Sequence, residues 1–448
     1  MGRSRRGRPA PWRAALDRFR LTVAVVVCCA TGLGLAVSGS FGAGPIAAAA
    51  ANRAVDPCAP AWVTGWQAAP QAAPTEGGLV GATLRMIIRP QLAGGQVRVR
   101  LSNAYGRSPL EVGAASVAHA GAGAEPVPGS AAPVTFDGGP RVLIAAGAEI
   151  TSDPLPFAAE PNGPVAVSLY LTELPDTLTR HAVALQTSYL SGPGDATLTG
   201  GADFPTTLSS GAVLTGLDVL AARPVNGLVA VGDSITGGAG NGVGVAERWT
   251  DALARRLTDP AAAPEATMVV LNAGIGGNRL LGDDPVDGGD SPLTRFDRDV
   301  GAAAGATDVV LQIGTNDIAV GRTATEIVEG LQRYLARARA AGVRVFLTTI
   351  TPSAAGAHGT GGAVAARSAV NAWVRAYGRT VADGVFDFAA AVRDPQQPDR
   401  LAPAFDSGDG LHLSAAGYRA LAEAVDPGLL SGSPCLAGSR PAATTTGG

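Results

Sequence analysis

The sequence predicts two folded parts in one chain, an all-β domain followed by an α/β domain on a parallel sheet. Three observations carry this. From about residue 62 to 220, short β-rich runs are separated by turns rich in Gly and Pro, and no useful helical periodicity appears. From about 226 onward, fully apolar strand-like runs alternate with amphipathic stretches, as expected of a parallel sheet covered on both faces. The chain has 448 residues, 46% of them hydrophobic, which is enough for two substantial cores.

The first segment is not read as fold. Arg3 to Arg20 include seven arginines and one aspartate, followed by an apolar run over 21–37 and small residues over 47–51. This is the layout of a secretory signal peptide, expected over 1–51, with an uncleaved signal anchor as the alternative. Arg5-Arg6 leaves the export route, general or twin-arginine, open. The formal net charge is −3, and loss of that segment leaves about −9. An acidic chain without basic clusters repels phosphate backbones and anionic lipid. No nucleic-acid partner is therefore expected, and no stable membrane insertion once the signal is cleaved. Every basic residue is arginine.

Cys28 and Cys29 would leave with the signal, so Cys58 and Cys435 remain, one near each end of the mature chain. In an oxidising compartment two leftover cysteines most simply pair; two free thiols are the alternative.

The β domain is expected over 58–222. Residues 84–89 and 96–102 read as strands, the second alternating strictly, and 92–95 has the composition of a hairpin turn. Further strands are expected at 141–144, 165–171 and 184–189, giving a β-sandwich or jelly roll. Trp62 and Trp66 are expected in packing, with sugar stacking as the alternative. The α/β domain is expected over 226–430, with strands at 228–231, 268–271, 309–313, 343–349 and 385–388. Its helices are expected at 246–257, 325–341, 364–381 and 414–424. The tail, 431–448, reads as loop and disorder.

Four blocks in the second half carry chemistry: Gly232-Asp233-Ser234-Ile235-Thr236, Asn272 to Asn278, Gly314-Thr315-Asn316-Asp317 and Asp409-Gly410-Leu411-His412. The first three follow the first three parallel strands, where open α/β sheets bind ligands. A serine hydroxyl needs a base to become a nucleophile. Ser234 is the candidate nucleophile and His412 the base, while Asp409, three residues before it, is placed to hold the imidazole. The backbone N–H groups of Ser234 and Gly277 and the Asn316 amide are candidate donors to an oxyanion. Thr236 stands where a second glycine would complete Gly-x-Ser-x-Gly, which disfavours an α/β-hydrolase elbow. His119, His181 and His358 are expected in structural or surface roles.

Other signals fail. Asp283, Asp284, Asp287 and Asp290 fit no EF-hand and read as a solvated loop. The chain has no zinc pattern, no lysine for a Walker A motif and no dinucleotide glycine spacing. No metal and no cofactor are expected.

Together the four blocks resemble the marks of the SGNH (GDSL-type) hydrolase family across about residues 226 to 425. Ser234, Gly277, Asn316 and His412 match its four name-giving residues, and Asp409 matches the third triad member. Ile235 stands for the usual leucine. The resemblance implies a flavodoxin-like sheet of order 2-1-3-4-5 and metal-independent ester hydrolysis through an acyl-enzyme. Arg248-Trp249, the run 295–299 and Asp406-Ser407-Gly408-Asp409 are similar to a secreted actinobacterial branch with an N-terminal β domain. That branch includes acylhydrolases found beside xylan-degrading enzymes. The expectation is a secreted enzyme acting on a small-molecule or carbohydrate ester. General aryl or short-chain lipid esters and an inactive binding protein are the alternatives, and the oligomeric state is left open.

Overall fold

The computed structural model describes residues 56–259, 264–285 and 287–439. The expected signal segment 1–51, with Cys28 and Cys29, lies outside the described residues, as do 440–448 of the expected tail. Both folded halves belong to one compact unit that starts at Val55.

The first half is built of antiparallel sheets. One joins Ala61–Gln67, Leu214–Ala221, Gly94–Ser102 and Glu149–Thr151. Another runs from Thr206–Leu208 through Ser188–Pro193, Ala82–Ile88, Val165–Glu173 and Leu110–His119 to Ala132–Val134. Inward residues of both sheets, among them Val97, Val99, Leu101, Leu84, Val117 and Leu169, form a common core. The strict alternation in Gly94–Ser102 has a simple cause. Val97, Val99 and Leu101 point inward, while Arg98 and Arg100 reach the buried Asp218 carboxylate at 3.0 and 3.5 Å. Trp62 carries the Arg98 guanidinium 4.6 Å above its ring, and Trp66 packs against the core.

Three expectations here are corrected. Ala82–Ile88 and Gly94–Ser102 lie in different sheets, so 92–95 is no hairpin turn. Pro90 has no N–H to extend the ladder, and buried Leu92 draws the connection across the core. The strand expected at 184–189 begins at Ser188. Leu185, with φ of 50°, breaks the extended backbone before it. The described part of the expected tail, 431–439, is not loose. Buried Ser433 accepts from Asn226 N–H at 2.8 Å and donates to the Thr267 carbonyl, and Pro434–Ser439 forms a short helix. Cys58 and Cys435 are bonded, with Cα atoms 5.2 Å apart.

The second half holds five parallel strands: β1 (Gly227–Gly232), β2 (Val269–Gly274), β3 (Ala306–Gln312), β4 (Arg344–Thr348) and β5 (Gly384–Phe386). They pair in the order β2-β1-β3-β4-β5. The helices are α1 (Ser234–Gly237), α2 (Trp249–Leu257), α3 (Thr315–Ala319), α4 (Ala324–Ala340), α5 (Gly361–Val381), α6 (Phe388–Val392) and α7 (Ala415–Ala424). One sheet face packs on α4 and α5 through Ile327, Leu331, Tyr334, Val370 and Val374. The other packs on α2, α6 and α7 through Trp249, Leu253, Phe388, Tyr418 and Leu421. Helix starts follow their caps. Thr323 and Glu326 make a reciprocal capping box at α4, and Ser414 accepts from Gly417 N–H at α7. Among the described residues no helix is long and apolar enough to cross a membrane.

The β half covers the edge strand β2. The Gln91 carboxamide accepts from Val270 N–H at 2.7 Å and donates to the Val270 carbonyl at 2.6 Å, taking the place of a neighbouring strand. Gln67 Nε2 donates to the Asp299 carbonyl at 2.8 Å, and Thr64 exchanges hydrogen bonds with Ala304.

Candidate active site

Ser234 is the first residue of α1, so its N–H has no acceptor within the helix. The preceding Asp233 caps that helix by accepting from Ile235 N–H at 2.9 Å. α1 sits hard against the end of β2: a Cβ on Gly274 would come within 2.3 Å of Gly237 N. Glycine at 274 therefore lets the helix that bears Ser234 lie over the sheet edge.

The serine meets the fourth block. Ser234 Oγ lies 2.9 Å from His412 Nε2, and His412 Nδ1 lies 2.6 Å from Asp409 Oδ2. The block folds onto its own carboxylate, because Asp409 Oδ1 accepts from Leu411 N–H at 2.9 Å and His412 N–H at 2.8 Å. Asp406 Oδ1 accepts from Gly408 and Gly410 N–H, which shapes the turn. Burial pushes the Asp409 carboxyl up, but the His412 ring and the N–H groups of His412 and Leu411 outweigh it and hold the group at about 2. Asp409 is thus anionic across the working pH range, as a group that fixes the Nδ1–H tautomer must be. Its side chain is half exposed, so the site is open on that side. The loop after α1 is tied to α7 by Tyr418, whose hydroxyl donates to the Ala239 carbonyl at 2.5 Å.

Blocks two and three meet one another. Gly277 is the third residue of a turn closed by Asn278 N–H to the Ile275 carbonyl at 3.2 Å, and its φ of 74° is the conformation that position of a type II turn requires. Asn316, in the first turn of α3, donates through Nδ2 to the Asn278 carbonyl at 3.0 Å. One N–H of its amide is thereby used, and the other is left for a ligand. Asp317 accepts from Leu280 N–H at 2.8 Å and Leu281 N–H at 2.9 Å, holding the second loop on the third.

Arg295 joins the two pairs of blocks. Fully buried, it donates to the Ala273 carbonyl at 2.7 Å, the Gly232 carbonyl at 3.1 Å and Asn278 Oδ1 at 3.0 Å, and pairs with Asp299. It thus ties the ends of β1 and β2 to the loop bearing Gly277. Asn278 is equally central, its Nδ2 donating to the Gly288 and Asp290 carbonyls. Ser234, Gly277 and Asn316 adjoin this frame, which the block motifs did not reveal; the only signal was the arginine of the run 295–299. Arg248 also gains a role, donating to the Gly237 carbonyl and across to Ala184 of the β half.

Asp233 is fully buried, and burial raises its carboxyl to about 7, with Asp317 adding to the rise against the Ile235 N–H. His181 is partly buried and is held at about 4 by desolvation, its Nδ1 on the Ala69 carbonyl at 2.7 Å, a structural role. His358 is partly buried, and its Nε2 lies 3.4 Å from Asn316 Oδ1. The acidic loop is engaged rather than only solvated: Asp283 accepts from Ser291 N–H, Asp284 pairs with Arg279, and Asp290 takes bonds from Tyr105 and Arg298. A cavity of about 360 Å³ lies between the two halves, lined by Met86, Ile88, His181, Leu214 and Val270 among others. It reaches Gly237 but is lined by none of Ser234, Gly277, Asn316, Asp409 or His412.

The arrangement offers a hydroxyl with a base in hydrogen-bond reach, a carboxylate behind the base, and amide donors on the neighbouring loops. That set is suited to acyl transfer.

No curated protein matches the chain. Solved structures similar to it include Est24, a carbohydrate acetylesterase from Sinorhizobium meliloti, at 21% identity and a TM-score of 0.35, covering 44% of this chain and 95% of that one. A GDSL-like lipase from Bacteroides thetaiotaomicron is 19% identical with a TM-score of 0.35, over 45% of this chain and 86% of its own. The aryl esterase of M. smegmatis is 20% identical with a TM-score of 0.35, over 44% and 95%. Residues 230–420, the segment that carries all four blocks, match the GDSL-like Lipase/Acylhydrolase family: a domain of that family type occupies just under half of the chain.

Proposed function

We propose that this chain is a secreted serine esterase that cleaves carboxylic esters through an acyl-enzyme. The observation that carries the reading is the continuous chain from Ser234 Oγ to His412 Nε2, 2.9 Å, and from His412 Nδ1 to Asp409 Oδ2, 2.6 Å. Ser234 attacks the ester carbonyl as His412 takes its proton. The imidazolium, stabilised by Asp409, then protonates the leaving alcohol. The negative oxygen of the tetrahedral intermediate is held by the N–H groups of Ser234 and Gly277 and by the free N–H of Asn316. Water, activated by His412, releases the acid and restores the serine. The four blocks supply every group this sequence of steps uses, and no metal or cofactor enters it.

The half-exposed Asp409 side chain leaves the rim open. An open rim suits an ester whose alcohol part stays outside the protein, such as an acylated carbohydrate. Secretion is supported by the arginine-rich, then apolar, start of the sequence and by the bond between Cys58 and Cys435.

The test is an ester panel, acetylxylan against p-nitrophenyl esters of increasing chain length, run with wild type and Ser234→Ala. Hydrolysis by wild type and its loss in a folded Ser234→Ala variant is expected. Acetate release from acetylxylan would place the substrate among carbohydrate esters; turnover of the aryl esters alone would place it with general esterases. No turnover of any ester by the folded wild type would favour a binding protein and reject the proposal.

A further inference from the structure

The loop between β4 and α5 touches both functional pairs of blocks, and no block motif includes it. Arg367 of α5, 3% exposed, organises it by donating to the His358 carbonyl at 3.1 Å, the Ser353 carbonyl at 3.2 Å and the Asp399 carbonyl at 3.4 Å. At one end of the loop, Ser353 Oγ and Ala354 N–H both donate to the Gly410 carbonyl, at 2.9 and 3.1 Å. Gly410 lies between Asp409 and His412. At the other end, a short turn over Gly356–Gly359 sets the half-buried His358 ring against Asn316.

The Asn316 carboxamide has one orientation consistent with its neighbours. Its NH₂ side faces the Asn278 carbonyl, which only accepts, at 3.0 Å. Its oxygen then faces His358 Nε2 at 3.4 Å. An amide oxygen accepts, so the ring must present Nε2–H there. Reversal of the amide would set oxygen against oxygen at Asn278 and withdraw the N–H aimed at the reacting carbonyl.

We propose that His358 is a positioning residue for the oxyanion site: its Nε2–H latches the oxygen of the Asn316 carboxamide, and so holds the amide's free N–H on the developing oxyanion. This rests on the esterase reading above, in which Asn316 is an oxyanion donor. The distance is long for a resting hydrogen bond, as catalytic contacts often are before substrate binds. Burial first, then the neighbouring His412 ring and the Arg367 guanidinium, lowers the tendency of His358 to protonate, which favours the neutral ring.

The test is a double-mutant cycle on p-nitrophenyl acetate, with folding of each variant verified by near-UV circular dichroism. His358→Ala is expected to lower kcat by about three- to tenfold, the worth of one neutral hydrogen bond, with KM within about twofold. His358→Gln, whose amide Nε2 also carries hydrogen, is expected to recover most of that loss. In an Asn316→Ala background, His358→Ala is expected to cost nothing more, because the group it orients is gone. A His358→Ala loss of equal size in both backgrounds would overturn the proposal, since the ring would then act elsewhere. Unchanged kcat in both backgrounds would overturn it as well. A wild type inactive on every ester would instead fail the esterase reading itself, and the two failures are thereby told apart.

Discussion

Replacing Arg295 with methionine tests the frame on which the site stands. The guanidinium is buried, pairs with a carboxylate that is also buried, and donates to Gly232, Ala273 and Asn278. Methionine keeps much of the side-chain length and removes every donor. Stranding Asp299 costs about 3–5 kcal/mol, the usual result of removing one partner of a buried pair. The lost bonds to Ala273 and Asn278 add to this, but not independently, while the Gly232 carbonyl still accepts from Ile275 N–H. The unit from Val55 has roughly 390 residues, for which the unfolding entropy at Tm is about 0.8 kcal/mol/K. A loss of about 4 kcal/mol then lowers Tm by about 5 °C, read by scanning calorimetry. Ester hydrolysis falls as well, since the ends of β1 and β2 and the Gly277 loop lose their common tie. Asp299→Leu in the same chain removes the stranded charge and should recover a large part of the lost Tm, but not the lost activity. A Tm change under about 1 °C in Arg295→Met, or no recovery in the double variant, would refute the assignment of Arg295 as the tie.

Three further predictions follow from other parts of the molecule. Asn316→Ala should lower kcat by about 10²–10³ with little change in Tm, as loss of one oxyanion donor does; a loss under about threefold would remove Asn316 from the mechanism. Asp233 is raised from 3.8 to about 7, so its contribution to stability is full below pH 4 and is lost as pH rises through about 7. Asp233→Asn keeps the helix cap and removes the titration, so denaturant midpoints should depend less on pH between 4 and 7, and equal slopes in both proteins would contradict this. Reducing the Cys58–Cys435 bond, which closes a loop of 377 residues, should destabilise the fold by at most about 6 kcal/mol on the chain-entropy model. Identical denaturation curves with and without reductant would show that the bond contributes nothing.

The sequence showed the order of the elements well because their periodicities are local. The alternation of 96–102 and the apolar run at 228–231 need only neighbouring residues to be recognised, and both are strands. The four blocks were legible for the same reason, since each places its chemistry on a short loop after a strand or before a helix. What was hidden depends on pairing between distant segments. Leu84 and Val97 look like two arms of a hairpin until Leu92 is known to enter the core. The order of Ser433, deep in a segment that reads as tail, comes from Asn226 and Thr267, over 160 residues away. Arg295 was legible only as part of the run 295–299, and its contacts and those of His358 were hidden because a guanidinium bound to carbonyls, or an imidazole beside a distant amide, leaves no local pattern. Arg295 binds positions 232, 273, 278 and 299, which are adjacent only once the sheet is assembled.

The central claim is that the hydroxyl of Ser234 is activated by His412. It is tested most directly by reacting the native protein with a fluorophosphonate and mapping the adduct by peptide mass spectrometry. One adduct, on Ser234, is expected in wild type, none in Ser234→Ala, and a strongly slowed reaction in His412→Ala. Labelling of another serine, or equal rates with and without the imidazole, would contradict the account.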